Sequence, residues 1–312
     1  MIIDLLLILA GLALVVFGSD YLVDGASAIA RKSGVSEFVI GVTIVGFGTS
    51  CPELVVSLTG AIQGSADISI GNVVGSNIMN TLLILGLTAV LAPIAVTPLN
   101  TKRDIPTMVG VTLFFVLLTL KGSLNWIDGV LFLLLFAAYM VVSLRSGKEE
   151  AQPEEEAQSR ERGIGVAVLM VLGGLAGLIF GGRLFVDHAV AFAKAVGVSE
   201  KFIAITLLAG GTSLPELVTC IVAAAKKKGQ LALGNIIGSN IFNILLILGL
   251  SSLIRPLSTA GMGTVDLAVL LASAVAVALA AYIGKHARIN RLEGALMLAL
   301  EAGYLVWLSV TL

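Results

Sequence analysis

A polar phrase written twice inside apolar sequence limits this chain more than any other feature. Gly48-Thr49-Ser50-Cys51-Pro52-Glu53 returns 163 positions later as Gly211-Thr212-Ser213-Leu214-Pro215-Glu216. Each copy is followed by a second phrase, Gly71-Asn72-Val73-Val74-Gly75-Ser76-Asn77-Ile78-Met79-Asn80 and then Gly234-Asn235-Ile236-Ile237-Gly238-Ser239-Asn240-Ile241-Phe242-Asn243. From Phe17–Leu87 to Phe180–Leu250 the offset never changes, and nearly half of the positions are identical. A carboxylate at the centre of a membrane helix costs roughly 2.5–3.5 kcal/mol on insertion scales. One in each half, at matched positions, is most simply read as building an ion site.

The surroundings of these phrases set the class. Of 312 residues 57% are hydrophobic and only 12% charged, and mean hydropathy is +1.04, against roughly 25% charged in ordinary domains. Ten apolar runs, at about 2–24, 37–61, 69–91, 105–120, 126–144, 164–190, 202–225, 231–253, 265–283 and 291–311, are each near the length that spans a bilayer core of about 30 Å; the run at 105–120 is short. The expected fold is an all-α membrane protein of ten transmembrane helices. It divides into two five-helix repeats, 1–144 and 164–312, joined by an acidic linker at 145–163. An odd number of spans per half turns the second half over in the membrane, the inverted repeat of many secondary transporters. Basic residues agree, since 14 of the 19 fall in odd-to-even loops, which places those loops and the linker in the cytoplasm and both termini outside. Met1-Ile2-Ile3-Asp4 has no basic region, so span 1 is expected as a retained helix.

Proline lacks an N–H, so Pro52 and Pro215 are expected to interrupt their helices and to free the carbonyls of Gly48 and Gly211. Freed carbonyls at membrane depth are tolerated where they line a cavity or are buried in protein. Ser76 with Asn80, and Ser239 with Asn243, stand at i and i+4 and so share one helix face. Gly71 with Gly75, and Gly234 with Gly238, form small-residue surfaces expected to bring span 3 against span 2 and span 8 against span 7. Every candidate donor is an oxygen, which suits Ca²⁺ or Na⁺ and not zinc or copper. No zinc or disulfide spacing is available to Cys51 and Cys220, and no nucleophile has a histidine partner at matched depth. No enzyme and no cofactor are therefore expected, and the lipid bilayer is the expected surrounding. Asp20 and Arg183 are repeat mates of opposite sign and candidates to pair.

The doubled Gly-Thr-Ser-x-Pro-Glu phrase, with its Gly-Ser-Asn-x-x-Asn partner, resembles the α-repeats of sodium/calcium exchangers of the calcium/cation antiporter superfamily. The resemblance covers the whole chain. It implies Na⁺ and Ca²⁺ as substrates of an electrogenic antiporter in a prokaryotic inner membrane, with no nucleic acid and no obligate protein partner. Glu53 and Glu216 match the two central carboxylates shared by the ions, and Thr49 and Thr212 match residues giving backbone and hydroxyl oxygens. Ser50, Ser239 and the carbonyl at Gly46 match the Na⁺ site nearer the cytoplasm. Ser213, Ser76 and the carbonyl at Ala209 match the one nearer the outside, and Asn80 and Asn243 line the middle. Relatives carrying Asp at the position of Asn243 include the potassium-dependent branch, so two carboxylates here favour Na⁺ without K⁺. Proton- or potassium-coupled exchange on the same fold, or a channel built on the same oxygens, are the alternatives.

Overall fold

The computed structural model describes residues 1–146, 163–197, 209–283 and 287–311. They are almost wholly helical: α1 (Ile2–Ser33), a bent pair α2 and α3 (Glu37–Thr49 and Cys51–Gln63), α4 (Ala66–Leu91), α5 (Ile105–Thr119) and α6 (Trp126–Ser146). After the linker, of which 147–162 lie outside the described residues, come α7 (Ile164–Ala195), a turn at Ala209–Gly211, α8 (Leu214–Ala225), α9 (Gly229–Ile254), α10 (Thr264–Ile283) and α11 (Arg291–Thr311). Seven of these helices are long and apolar enough to cross a membrane, and eight if α2 and α3 count as one. The chain is a multi-pass α-helical membrane protein. Two expected spans fall short of that length. α5 has 15 residues, and the run at 202–225 starts outside the described residues and resumes as the 12-residue α8.

Burial sorts the helices into two kinds. In α4 and α9 most of the apolar window is buried, 72% and 83%, whereas in α1 and α7 it is 22% and 28%. Apolar side chains facing outward belong against lipid, so α4 and α9 form the centre and α1 and α7 lie on the periphery. Two short antiparallel ladders tie the halves together at the ends of the bundle. Ile94–Ala95 pairs with Arg288–Ile289, and Ser123–Leu124 with Leu257–Ser258.

Small residues decide the closest approaches. A Cβ on Gly18 would stand 2.8 Å from the Gly174 carbonyl oxygen, and one on Gly174 would stand 2.6 Å from that of Gly18. Gly11 faces Gly181 and Phe185, and Gly25 faces Ala167. Rising numbers on α1 meet falling numbers on α7, so these repeat mates run antiparallel with their backbones touching. That arrangement corrects one pairing. In that register position 183 lies beside Gly11, more than two turns from position 20, and Asp20 instead meets Lys226, whose Nζ is 2.7 Å from Asp20 Oδ1 and 2.6 Å from Asp24 Oδ1. Partial burial works against the charged amine of Lys226, but its hydrogen bonds to Asp20 and Asp24 outweigh that and raise its pKa above the ordinary lysine value.

A second correction concerns the small-residue surface of α9. A Cβ on Gly234 would collide with the Phe38 carbonyl oxygen, and one on Gly238 would stand 2.6 Å from the Val42 Cα. This face packs on α2, from the other half of the chain, and not only on its own neighbour. Gly71 and Gly75 make no comparably close approach among the described residues. The two halves are interlocked at the centre.

Candidate ion-binding site

The break between α2 and α3 bends the span by 50°. It falls at Ser50, whose φ and ψ of −83° and 8° leave the helical basin, and Pro52 then opens α3, where its missing N–H costs nothing. Ser213 repeats this with φ and ψ of −86° and 5°, ahead of Pro215 in α8. The expectation that proline frees the Gly48 carbonyl is not met, because a backbone N–H at the cap reaches it. Because the helix stops at Ser50, the rule for proline inside a continuous helix does not apply. The carbonyl that gathers donors is that of Gly46, with Ser50 N at 3.1 Å, Ser239 Oγ at 3.4 Å and Thr49 Oγ1 at 3.5 Å.

Both glutamates are buried, Glu53 at 1% and Glu216 at 0% exposure. Each is held by hydroxyls drawn from both halves. The Ser213 hydroxyl donates to Glu53 Oε1 at 3.2 Å and Ser76 lies 3.4 Å from the same oxygen. The Ser50 hydroxyl is 3.0 Å from Glu216 Oε1 and 2.9 Å from Ser239 Oγ. Two clusters result, one of Glu216, Ser50, Ser239 and the Gly46 carbonyl, the other of Glu53, Ser213 and Ser76. Ala209 opens the turn before Ser213, at the position matching Gly46.

The second oxygen of each carboxylate, Oε2, is buried with no hydrogen-bond partner, as are Thr212 Oγ1, Asn80 Oδ1 and Asn243 Oδ1. An unmet buried acceptor costs about 1–3 kcal/mol. Five of them, all on residues of the doubled phrases, make an oxygen-only environment that a hard cation satisfies and no protein donor does. Asn80 and Asn243 each begin a π-helical turn, Asn80–Leu85 and Asn243–Ile247. Such turns insert one residue into a helix and recur at functional sites.

Three amides support this arrangement and were not among the expected site residues. Asn235 Oδ1 accepts from the Thr49 hydroxyl at 3.0 Å while its Nδ2 donates to Cys220 Sγ at 3.3 Å. Its repeat mate Asn72 donates to the Glu53 carbonyl at 3.1 Å and to Ser57 Oγ at 3.0 Å. Asn77 accepts from Asn243 Nδ2 at 2.9 Å and donates to the Asn240 carbonyl at 3.1 Å, joining α4 to α9. The signal for Asn72 and Asn235 was present, since the i, i+4 spacing of Ser76 with Asn80 and Ser239 with Asn243 extends one turn back to them. Asn235→Leu keeps the branched outline and heavy-atom count but releases the Thr49 hydroxyl. A hydrogen bond worth about 1 kcal/mol corresponds to roughly a fivefold weakening of cation binding, with the melting temperature read alongside as the check on folding.

The sequence profile of the family described as sodium/calcium exchanger protein matches residues 3–145 and 166–310. The sodium/calcium exchanger MaX1 of Methanosarcina acetivorans is 35% identical over 346 residues, covering 97% of this chain and 98% of that one. The inner membrane protein YrbG of Escherichia coli is 37% identical over 260 residues, covering 80% and 79%. A solved structure of the sodium-calcium exchanger NCX_Mj, soaked with Na⁺ and Sr²⁺, superposes with a TM-score of 0.86 at 37% identity and covers 98% of each chain. With both halves matched and relatives aligned nearly end to end, the chain belongs to the sodium/calcium exchanger protein family.

Proposed function

We propose that this chain exchanges Na⁺ for Ca²⁺ across a prokaryotic inner membrane, with Glu53 and Glu216 holding each ion in turn. The observation that carries the reading is the pair of buried carboxylates, each with one oxygen fastened by hydroxyls and the other without a donor. Two negative charges balance one Ca²⁺, and they cannot balance Ca²⁺ and several Na⁺ together. One load must leave before the other binds, and that exclusion couples the two fluxes. The ligands in this reading are Glu53, Ser213, Ser76, Thr212 and the Ala209 carbonyl on one side, and Glu216, Ser50, Ser239, Thr49 and the Gly46 carbonyl on the other. Asn80 and Asn243 stand between them. The names of MaX1 and NCX_Mj support the choice of ions.

In the same reading α5 and the segment ending in α8 are crossings, which makes ten in two inverted halves of five. The antiparallel course of the repeat mates α1 and α7 supports this, and the charge bias of the loops puts both termini outside and the linker at 145–163 in the cytoplasm. The lightly buried α1–α7 pair is the element that moves across the central helices during alternating access. Neither a resident cofactor nor a protein partner is needed. If one net charge crosses per cycle, 100 mV contributes about 2.3 kcal/mol to the exchange.

Radioactive calcium uptake into proteoliposomes loaded with Na⁺, K⁺, choline or acid tests the proposal. Uptake that requires internal Na⁺ and responds to a valinomycin potential is expected. Uptake driven by a pH gradient alone would keep the glutamates and replace the coupling ion, and uptake with no counter-ion requirement would identify a channel.

A further inference from the structure

A cavity of about 340 Å³ opens beside the site, walled by Cys51 and Pro52 of α3, by Thr212 and Pro215 at the second break, and by Arg183 and Asp187 of α7. It reaches the flanks of both broken helices, and the buried, partnerless Thr212 hydroxyl belongs to its wall. Arg183 and Asp187 are exposed, and no ion pair is found for either among the described residues. A guanidinium stays charged at any working pH. The repeat mates of these two residues, Asp20 and Asp24, lie more than two turns away along the α1–α7 pair and are bridged by Lys226. Arg183 and Asp187 bring equal and opposite charges to the cavity, whereas Asp20, Asp24 and Lys226 keep one net negative charge, so the two places differ by the arginine that offsets Asp187.

We propose that Arg183 determines selectivity by valence for cations approaching Glu53 and Glu216 through this cavity. A fixed positive charge repels a divalent ion with twice the energy it exerts on a monovalent one. Any factor it imposes on Na⁺ is therefore squared for Ca²⁺. Set against the attraction of Asp187 in the same cavity, the arginine lowers the preference for Ca²⁺ and so favours loading of Na⁺. This inference rests on the exchange reading for its ions, but the field itself is measurable without transport.

Cys51 supplies that measurement. It lines the cavity half-buried, whereas Cys220 is fully buried. The rates at which an anionic and a cationic methanethiosulfonate modify Cys51 are compared in wild type, Arg183→Gln and Arg183→Lys. Removing the charge is expected to lower the anionic-to-cationic rate ratio about fourfold, for reagents differing by two charges and a twofold effect per charge. Arg183→Lys should stay near wild type, and added salt should shrink the difference. In oriented proteoliposomes, Arg183→Gln should lower the apparent KM about fourfold for Ca²⁺ and about twofold for Na⁺, from the cavity side only. An unchanged Cys51 ratio in an exchanging protein overturns the inference alone. So does a KM change equal for both ions, equal on both sides, or shared by Arg183→Lys, since each marks a structural role. A shifted ratio in a wild type lacking Na⁺-dependent Ca²⁺ flux overturns the exchange reading and leaves the charge effect standing.

Discussion

Glu53→Gln and Glu216→Gln are each expected to reduce Na⁺-dependent Ca²⁺ flux at least about 100-fold. Two unit charges roughly 4 Å apart attract by about 4 kcal/mol at an effective dielectric of about 20, and each about 1.4 kcal/mol is a factor of ten in affinity. Ca²⁺ loses twice what Na⁺ loses, and resolvation of the ion returns part of both. The amide keeps an oxygen for Ser213 or Ser50 to donate to, so the hydroxyl clusters survive. Folding should survive as well. A buried carboxylate lacking a donor on one oxygen is a cost to the folded state, so the melting temperature without added ions should stay level or rise. Lost flux with a level or higher melting temperature separates an ion ligand from a structural residue. Normal exchange in either variant would remove that glutamate from the site.

Gly174→Val should act through the α1–α7 pair and not through the ions. Any side chain there meets the Gly18 carbonyl at 2.6 Å and the Leu22 amide at 2.7 Å, both backbone groups that cannot rotate away. Overpacking of this kind typically costs 1–3 kcal/mol. Here it also separates α1 from α7, so transport is expected to fall more than about tenfold while Ca²⁺ binding by the detergent-solubilised protein changes little. Gly173→Val is the matched control, since nothing lies within 4 Å of its Cβ position, and it should change stability by no more than about 0.5 kcal/mol. Equal effects of the two substitutions would show that α1 and α7 do not need their contact. Loss of binding along with transport would place the damage at the site.

Much of this was legible because the chain states it twice. Two hydropathic halves with a carboxylate at a matched position led to a helical membrane transporter, and the doubled phrases named the residues that gather around Glu53 and Glu216. What escaped has physical reasons. The π-helical turns at Asn80 and Asn243 use the same residue types as ordinary helix, so no composition marks the inserted residue. The seam between α1 and α7 was written as Gly11, Gly18 and Gly25 against Ala167, Gly174 and Gly181, a seven-residue spacing, but 35 glycines hide such a series. Glu301, buried on α11 with Oε2 lacking a partner, has the apolar Phe136 as its repeat mate, so a search by symmetry passes over it. Span counting suffered because hydropathy registers an apolar run and not where a helix stops. The break at Ser50 and the short α5 both lie inside runs that read as continuous.

The unmet oxygens around the glutamates bear on how such a protein avoids leaking. Closing the bundle around nothing would seal five acceptors and two negative charges away from both water and cations, at about 1–3 kcal/mol for each acceptor and more for the charges. A protein with a comfortable empty form would slip back across without cargo and let the two gradients run down independently. In the proposed exchange, the same atoms that attract an ion make the unladen crossing the most expensive one. Tight bookkeeping between the two ions then needs no separate gate, because it follows from leaving a few buried oxygens deliberately dissatisfied.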